Sequence, residues 1–340
     1  MSMYSILEKH KSNNIRDFTI LIFIGVLSIV LSIVIGASTI SLEDFWRFAS
    51  GQQVDDFVKN IITLVRVPRA LGGFLCGFAL SLSGLLLQRV LNNALVSPST
   101  IGVNSGSGLF VLVSTLIFPL NFFAKTLAAF LGAITISLII YFVSIGTGRS
   151  RMTIILAGVA ITTMCNAIID SIIIVFPDSV YDKTAFYIGG LSSVTYTQLT
   201  FSSIFILVGF FVVMLIHKQL DILILGDEVS NSLGVNVNKI RFIIILCSSM
   251  ISGAAVAVAG LLGFVGLIIP HIAKMLFDNE SKTLIPKTSI LGGSFVVLAD
   301  LFARVLFAPY EIPVGVLLSF LGAPFFLFLL FNGKKKGRFV

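Results

Sequence analysis

The sequence predicts an all-α protein that crosses a membrane about ten times, and two observations lead to that prediction. Hydrophobic residues make up 56% of the 340 positions and charged residues only 11%, whereas soluble domains carry about a quarter charged residues. Apolar stretches also recur at about the 20 residues that a helix needs to cross the hydrocarbon core. With a mean hydropathy of +1.05, the chain is expected to be solvated by lipid.

Ten apolar stretches are long enough, or nearly so, to be membrane spans. The region 242–277 is too long for one span and short for two, but its glycines offer a place to turn. We therefore divide it into two predicted spans. The ten predicted spans are 18–38, 70–91, 99–118, 122–144, 152–176, 199–216, 242–262, 264–277, 284–308 and 312–331.

The charge pattern predicts the orientation of these spans. An even number of spans places both ends of the chain on one side, and both ends are basic: Lys9, Lys11, Arg16, Lys334, Lys335, Lys336 and Arg338. Because cytoplasmic segments are enriched in Lys and Arg, we expect cytoplasmic tails at 1–17 and 332–340 and a cytoplasmic loop at 217–241. The whole chain, 1–340, is predicted to be one transmembrane domain. The net charge of +7 is interpreted as this topology signal, so no nucleic-acid partner is expected.

A polar segment, Leu225–Arg241, interrupts the apolar sequence in that loop. Leu225, Val229 and Leu233 recur every four residues and form one apolar stripe on a short helix. Asp227 and Glu228 lie in its first turn, where the helix dipole favours anions. Gly234 stands where such a helix would end. A membrane chain with an amphipathic helix at this place is expected to dock a soluble partner.

Two ten-residue segments, Gly77–Leu86 and Gly253–Leu262, share a pattern of small and aliphatic residues that begins with Gly and ends with Gly-Leu-Leu. They lie in the second and seventh predicted spans and would run in opposite directions. Inverted repeats of this kind are typical of transporters whose pathway lies at the repeat interface. Because membrane spans use few residue types, chance similarity explains the match between the two segments about equally well.

Several motifs together go beyond composition. They are Arg66-Val-Pro-Arg69, Asn93-Ala-Leu-Val-Ser-Pro98, Gly263-Phe-Val-Gly-Leu-Ile-Ile-Pro-His271, Ala299-Asp-Leu-Phe-Ala-Arg304, Glu311-Ile-Pro-Val-Gly315 and Leu321-Gly-Ala-Pro324. In this order and spacing, the chain from about Arg66 to Leu330 resembles the FecCD-type permeases of ABC importers. That family takes up ferric siderophores, haem and vitamin B12. The resemblance implies the type II ABC importer permease architecture in a bacterial cytoplasmic membrane.

The resemblance also implies partners. Two permeases, identical or paralogous, would enclose a central pathway, with two ATPase subunits inside and a substrate-binding protein outside. The chain contains no Gly-x-x-x-x-Gly-Lys-[Ser/Thr] loop, so ATP and magnesium are expected to act on the ATPase subunits. The chain itself is expected to bind no cofactor and to be no enzyme. A ferric siderophore is ranked first as substrate, haem second and cobalamin third.

The resemblance assigns roles to individual residues. Outer arginines at positions matching Arg66, Arg69 and Arg304 dock the binding protein, although anchoring of helix ends is the alternative. Asn93 and Leu95 match the position of a cytoplasmic gate, but this chain lacks the family's proline at Ala94. The residues implied in ATPase coupling are Leu225, Gly226, Asp227, Glu228, Val229, Leu233, Gly234 and Val235.

Two carboxylates lie inside predicted spans, where charged groups are costly and often functional. Asp170, with Asn166 one turn earlier, lies either on the pathway or against the outer water. Asp300 has Arg304 at i+4 as a ready partner. His271 has no His or Cys nearby, so no metal site is expected. An ion-coupled secondary transporter that uses these carboxylates is the alternative function.

Overall fold

The computed structural model describes residues 14–36, 40–119, 121–146, 151–176, 186–306, 308 and 310–335, and their regular structure is helical. Most of the two tails predicted to be cytoplasmic lies outside these residues. The helices, in chain order, are α1 (Asn14–Val34), α2 (Leu42–Ala49), α3 (Asp56–Val90), α4 (Val103–Ile117), α5 (Phe122–Gly146), α6 (Arg151–Val175), α7 (Tyr196–Leu215), α8 (His217–Leu223), α9 (Asp227–Ser232), α10 (Val237–Ala259), α11 (Val265–Leu276), α12 (Ser281–Val305) and α13 (Val314–Lys335).

The fold class predicted from the sequence is confirmed. Within the described ranges, seven helices are long and apolar enough to cross a membrane, and three shorter apolar helices accompany them. Each of the ten predicted spans coincides with one of these helices. The shortest, α11, has 12 residues and a length of about 18 Å, which is less than the hydrocarbon thickness of about 30 Å.

Helix α3 departs most from its predicted bounds, because it begins at Asp56 and not near residue 70. Apolar residues continue at helical spacing before the predicted start, and Ile62 is fully buried. The turns at Ile61–Arg66 are widened into a π-helix. The helix therefore extends beyond the point where Arg66 meets the end of α1.

The core is built around α3, which packs against α10, α11 and α12. Its closest approaches occur at glycines. A Cβ atom on Gly84 would lie 1.9 Å from the Gly266 carbonyl oxygen of α11, and one on Gly77 would lie 2.1 Å from the Gly292 carbonyl oxygen of α12. These separations leave no room for a side chain, so the glycines set the distance between the helices.

The two segments of the predicted repeat lie on α3 and α10, which pack against each other. The Cys76 thiol donates to the Ala255 carbonyl oxygen at 3.5 Å, and the Ser83 and Ser248 hydroxyl oxygens lie 2.6 Å apart. As the residue number rises along α3, that of its partner on α10 falls. The two helices therefore run antiparallel, as the inverted repeat requires.

The break between α10 and α11 falls in the glycine-rich region predicted to turn. Gly260 and Phe264 both have positive φ, 67° and 64°. The Leu261 N–H donates to the Phe186 carbonyl oxygen, and the Gly190 N–H donates to the Ala259 carbonyl oxygen. The segment around Phe186 therefore satisfies backbone groups that the broken helix leaves free.

The helical body has two ends, which we call the α9 end and the Arg69 end. At the α9 end, α8 and α9 lie near the start of α12, and Lys287 of α12 contacts Asp17 of α1 at 3.1 Å. At the Arg69 end, Arg66 of α3 donates to the Val34 carbonyl oxygen, where α1 finishes, at 2.7 Å. Since α1 is long enough to span the membrane, these two ends lie on opposite sides of it.

Candidate functional site

The predicted apolar stripe lies exposed at the α9 end. Leu225 is 61% exposed, Val229 46% and Leu233 59%. Val229 lies in α9, which begins at Asp227 and ends at Ser232, and Leu225 and Leu233 flank this helix. Gly226 and Gly234 have positive φ on either side of it. The glycines at both helix ends, the acidic first turn and the exposed stripe agree with the pattern predicted from the sequence.

Two arginines hold this segment against the membrane-spanning helices. Arg151, the first residue of α6, donates to Asp227 at 2.6 Å, and Arg241 of α10 donates to the other carboxylate oxygen at 2.7 Å. Partial burial alone would raise the pKa of Asp227, but the hydrogen bonds and charges of the two arginines outweigh it and lower that pKa. The carboxylate therefore stays ionised and fixes the segment to α6 and α10.

The segment also has an internal lock. The Ser230 hydroxyl is buried and lies within reach of two carbonyl oxygens, 3.0 Å from that of Ile222 in α8 and 2.6 Å from that of Gly226. Helices α8 and α9 are thereby joined as one unit. We call the exposed residues Leu225, Val229 and Leu233 on this unit the docking stripe. A rigid, exposed apolar stripe suits burial in the groove of another protein.

The predicted gate residues lie in the loop between α3 and α4, also at the α9 end. The Asn93 side chain accepts a hydrogen bond from the Leu95 N–H at 2.9 Å, and Asn92 before it has a φ of 45°. Leu95 is half-buried. The loop is a tight turn stabilised by its own side chain, and the gating role of Asn93 and Leu95 stays a prediction.

At the opposite end, Arg66, Arg69 and Arg304 are buried, since each is at most 5% exposed. Arg69 donates to both oxygens of Asp300, at 2.9 and 3.0 Å, and to Glu311 at 2.6 Å. A buried guanidinium needs such partners, since leaving it unpaired would cost several kcal/mol. The helix packing supplies them from α12 and from the segment before α13.

The other two guanidinium groups bind the end of α1. Arg66 donates to the carbonyl oxygens of Ile33 and Val34. Arg304 donates to the Ser32 hydroxyl at 2.7 Å and pairs with Asp300 at 3.1 Å. The pair at i+4 confirms the partner predicted for Asp300. Docking by these arginines stays a prediction, and it would require them to exchange internal partners for carboxylates of another protein.

Beside this buried network lies a cavity of about 390 Å³ at the Arg69 end. Charged and polar side chains from four parts of the chain line it, together with the backbone at the end of α10. Its polar lining includes Arg69, Lys125, Ser192, Ser193, Gln198 and Glu311. The cavity gives this end a polar concave surface, in contrast to the convex apolar stripe at the α9 end.

The predicted pathway residues lie on one exposed face of α6. Asn166 and Asp170 are one turn apart and exposed in the single chain. Towards the α9 end the same face continues with large apolar residues, Met152, Leu156 and Val159. The face is therefore polar in one half and apolar in the other.

Sequence reasoning missed two buried cations at the α9 end. Arg89 in the last turn of α3 pairs with Asp221 of α8 at 2.7 Å. Lys287 in α12 contacts Asn14 and Asp17 and lies 4.8 Å from the Phe277 ring centroid. The available signal was their position within predicted spans, where a charge demands a partner.

Comparisons with known proteins cover nearly the whole chain. The model of the FecCD transport family matches residues 22–332. The Fe(3+)-citrate import system permease protein YfmD of Bacillus subtilis (strain 168) is 33% identical over 334 residues, which are 98% of this chain and 99% of that protein. The hemin transport system permease protein HmuU of Yersinia pestis is 32% identical over 323 residues, covering 92% of this chain and 96% of that protein.

A solved structure extends the likeness to three dimensions. An inward-facing conformation of a metal-chelate type ABC transporter has a TM-score of 0.81 to this chain at 27% identity. The match covers 92% of this chain and 97% of that chain. The two chains therefore share their overall helical architecture.

Proposed function

This chain belongs to the FecCD transport family, and we propose that it is the permease subunit of an ABC importer that moves a ferric chelate inward. The observation that carries the proposal is the docking stripe at the α9 end. Ion pairs to α6 and α10 hold it in place, yet its apolar side chains remain exposed. A permease powered by separate ATPase subunits needs such a surface.

The α9 end faces the cytoplasm in this proposal, as does each end of the chain. One ATPase subunit docks on each of two permeases, taking Leu225, Val229 and Leu233 into a groove, with Gly226, Glu228 and Val235 beside them. When the ATPase pair closes, it must bind one of the two permease states more tightly than the other. A partner that binds both states equally does not shift the equilibrium between them. The two ion pairs of Asp227 hold the docking stripe in place for this contact.

The Arg69 end faces a substrate-binding protein in the same proposal. The exposed face of α6 meets the pathway between two permeases, identical or paralogous, so Asn166 and Asp170 line its outer half. Exposed polar groups suit a pathway for a large chelate, because they can be hydrated and need not bind the substrate tightly.

The substrate we propose is a ferric siderophore or a related ferric chelate. The first two relatives described above are named for Fe(3+)-citrate and for hemin, which places iron chelates ahead of cobalamin. Among the candidate substrates, we rank a siderophore-type chelate first, haem second and cobalamin third. The iron is cargo, held by its chelator throughout.

Reconstitution in proteoliposomes tests the proposal. The chain would be assembled with its ATPase, its binding protein and any second permease, and uptake of ferric citrate, a ferric hydroxamate, hemin and cobalamin would be compared. We expect ATP-dependent uptake of an iron chelate that continues when proton and sodium gradients are collapsed. Uptake that follows an ion gradient without ATP would contradict the proposal and favour a secondary transporter.

A further inference from the structure

Arg89 ties three parts of the α9 end together. It lies in the last turn of α3 and is 3% exposed. One guanidinium nitrogen donates to Asp221 at 2.7 Å and to the Ser281 hydroxyl, and the other donates to the Asn279 carbonyl oxygen. The end of α3 is thus bound to α8 and to the start of α12.

Asp221 completes this junction from α8. Besides Arg89, it accepts the backbone N–H of Ser281, with its two carboxylate oxygens at 3.0 and 3.3 Å. Ser281 is the first residue of α12, where the helix dipole favours an anion. The carboxylate therefore serves two helices at once, and its side chain is 32% exposed.

On one side, this junction leads to the docking stripe. Asp221 is followed directly by Ile222, whose carbonyl oxygen accepts the Ser230 hydroxyl of α9 at 3.0 Å. Two neighbours of Asp221 on α8, Leu220 and Leu223, are fully buried. The Ser230 bond couples α9 to α8 next to Asp221, so a displacement of the docking stripe would be passed to Asp221.

On the other side, the junction leads to the predicted gate loop. The Leu91 N–H donates to Leu87 and the Asn93 N–H donates to Gln88, both in the last turn of α3. Gln88 is in turn fixed by Lys274 of α11 at 2.8 Å. The loop that carries Asn93 and Leu95 is therefore a direct continuation of the turn that Arg89 holds.

We propose that the Arg89–Asp221 ion pair is the link through which movement of the docking stripe reaches the gate loop. The inference deepens the proposed function and rests on it. In it, Arg89 and Asp221 are positioning residues that contact neither ATP nor chelate. The pairs that Asp227 makes lead instead to α6 and α10, so the two aspartates of the segment have separable roles: Asp227 holds the surface, and Asp221 transmits its movement.

The test compares Asp221→Asn with Asp227→Asn in the reconstituted importer, and three quantities are measured: affinity for the ATPase, ATP hydrolysis and chelate uptake. For Asp221→Asn we expect unchanged affinity and sustained hydrolysis, with at least tenfold more ATP consumed per chelate transported. For Asp227→Asn we expect weaker affinity and an unchanged ratio. In Asp221→Asn the amide oxygen can still accept from Arg89, which also keeps its hydrogen bonds to Ser281 and Asn279. The thermal unfolding midpoint is measured as the control, and the ratio is compared only for complexes that remain folded.

A double-variant cycle sharpens the test. If the two residues act through one contact, Arg89→Gln combined with Asp221→Asn should be no worse than the more affected single variant. A normal ratio of hydrolysis to uptake in both single variants would overturn the link. The link would also be overturned if Asp221→Asn lowered the affinity for the ATPase while the complexes that still form showed a normal ratio of hydrolysis to uptake. Absence of ATP-dependent uptake in the unaltered importer would instead refute the proposed function.

Discussion

The two ends of the molecule use the same chemical contact for opposite purposes. At the Arg69 end, Asp300 receives Arg69 and Arg304, and at the α9 end Asp227 receives Arg151 and Arg241. The Asp300 side chain is 2% exposed, whereas that of Asp227 is 41% exposed. At the Arg69 end, two arginines and one carboxylate form a buried network between helices. At the α9 end, the same combination of groups holds an exposed surface in place.

This difference has an energetic consequence. Breaking a buried ion pair leaves an uncompensated charge in a medium that solvates it poorly, whereas water solvates the partners of an exposed pair. The contacts of Asp300 should therefore determine stability. The contacts of Asp227 should determine how strongly a partner docks.

The largest effect is expected for Arg69→Ala, which would test the first half of this comparison. The substitution removes one of the two arginines that pair with Asp300 and leaves Arg304 as the other. It also removes the guanidinium group that Glu311 contacts. We expect a loss of about 3–5 kcal/mol in the free energy of unfolding, measured by thermal or denaturant unfolding in detergent.

Arg47→Ala is the matched control for that change. Arg47 pairs with Glu43 at i+4 on the surface of α2, and both side chains are more than half exposed. Its removal should cost about 0.3–0.5 kcal/mol. Equal losses in the two variants would show that burial does not distinguish the networks.

The next effect concerns docking. Leu233→Asp places a charge in the docking stripe, which should lower the affinity for the ATPase by about 2–4 kcal/mol, roughly 100-fold, and abolish transport. Because Leu233 is 59% exposed, the unfolding midpoint should not change. Asn231→Asp, which adds the same charge on another face of α9, should retain affinity and transport. Normal substrate-stimulated ATPase activity in Leu233→Asp would refute the docking stripe.

The α9 end could be predicted from the sequence largely because its pattern is local. The spacing of Leu225, Val229 and Leu233 and the glycine after them lie within ten residues. Such patterns report helix faces and helix ends directly. The pairing of Asp300 with Arg304 was accessible for the same reason, since the two are one turn apart.

The Arg69 end was harder because its contacts join distant parts of the chain. Arg69 is 231 positions from Asp300 and 242 from Glu311. Charge counting predicts the side of the membrane on which an arginine lies, but not whether its helix turns it towards water or towards a neighbour. The internal partners of Arg66 and Arg304 therefore could not be predicted from the sequence, apart from the Asp300 one turn before Arg304.

A smaller effect is expected for Asp227→Asn, which weakens the support of the docking stripe and leaves the stripe itself in place. We expect about 1 kcal/mol of lost ATPase affinity, roughly fivefold. The pH dependence follows from the sign of the shift. Because the pKa of Asp227 is lowered, its two ion pairs persist above the ordinary value and fail only as pH falls through the lowered pKa.

Affinity for the ATPase in the unaltered protein, measured by titration, should therefore not vary through Asp227 between about pH 6 and 8, well above an ordinary Asp pKa. The asparagine variant should be weaker by a constant factor across that range. A factor that changes with pH would show that another group controls the docking stripe.

The smallest effect is expected at Glu311, where the Arg69 network meets water. Its side chain is 39% exposed, although its carboxylate accepts from Arg69 at 2.6 Å. Glu311→Gln keeps a hydrogen-bond acceptor and removes one charge, so we expect a loss below about 1 kcal/mol in unfolding free energy.

Asp300, fully buried beside the same guanidinium, supplies the contrast: Asp300→Asn should cost several times more. Both residues contact Arg69, but Asp300 also pairs with Arg304, so its larger loss reflects burial together with a second ion pair. Equal losses for Glu311→Gln and Asp300→Asn would mean that the exposed and buried carboxylates of this network contribute equally to stability. The contrast between the buried contacts of Asp300 and the exposed contacts of Asp227 would then fail.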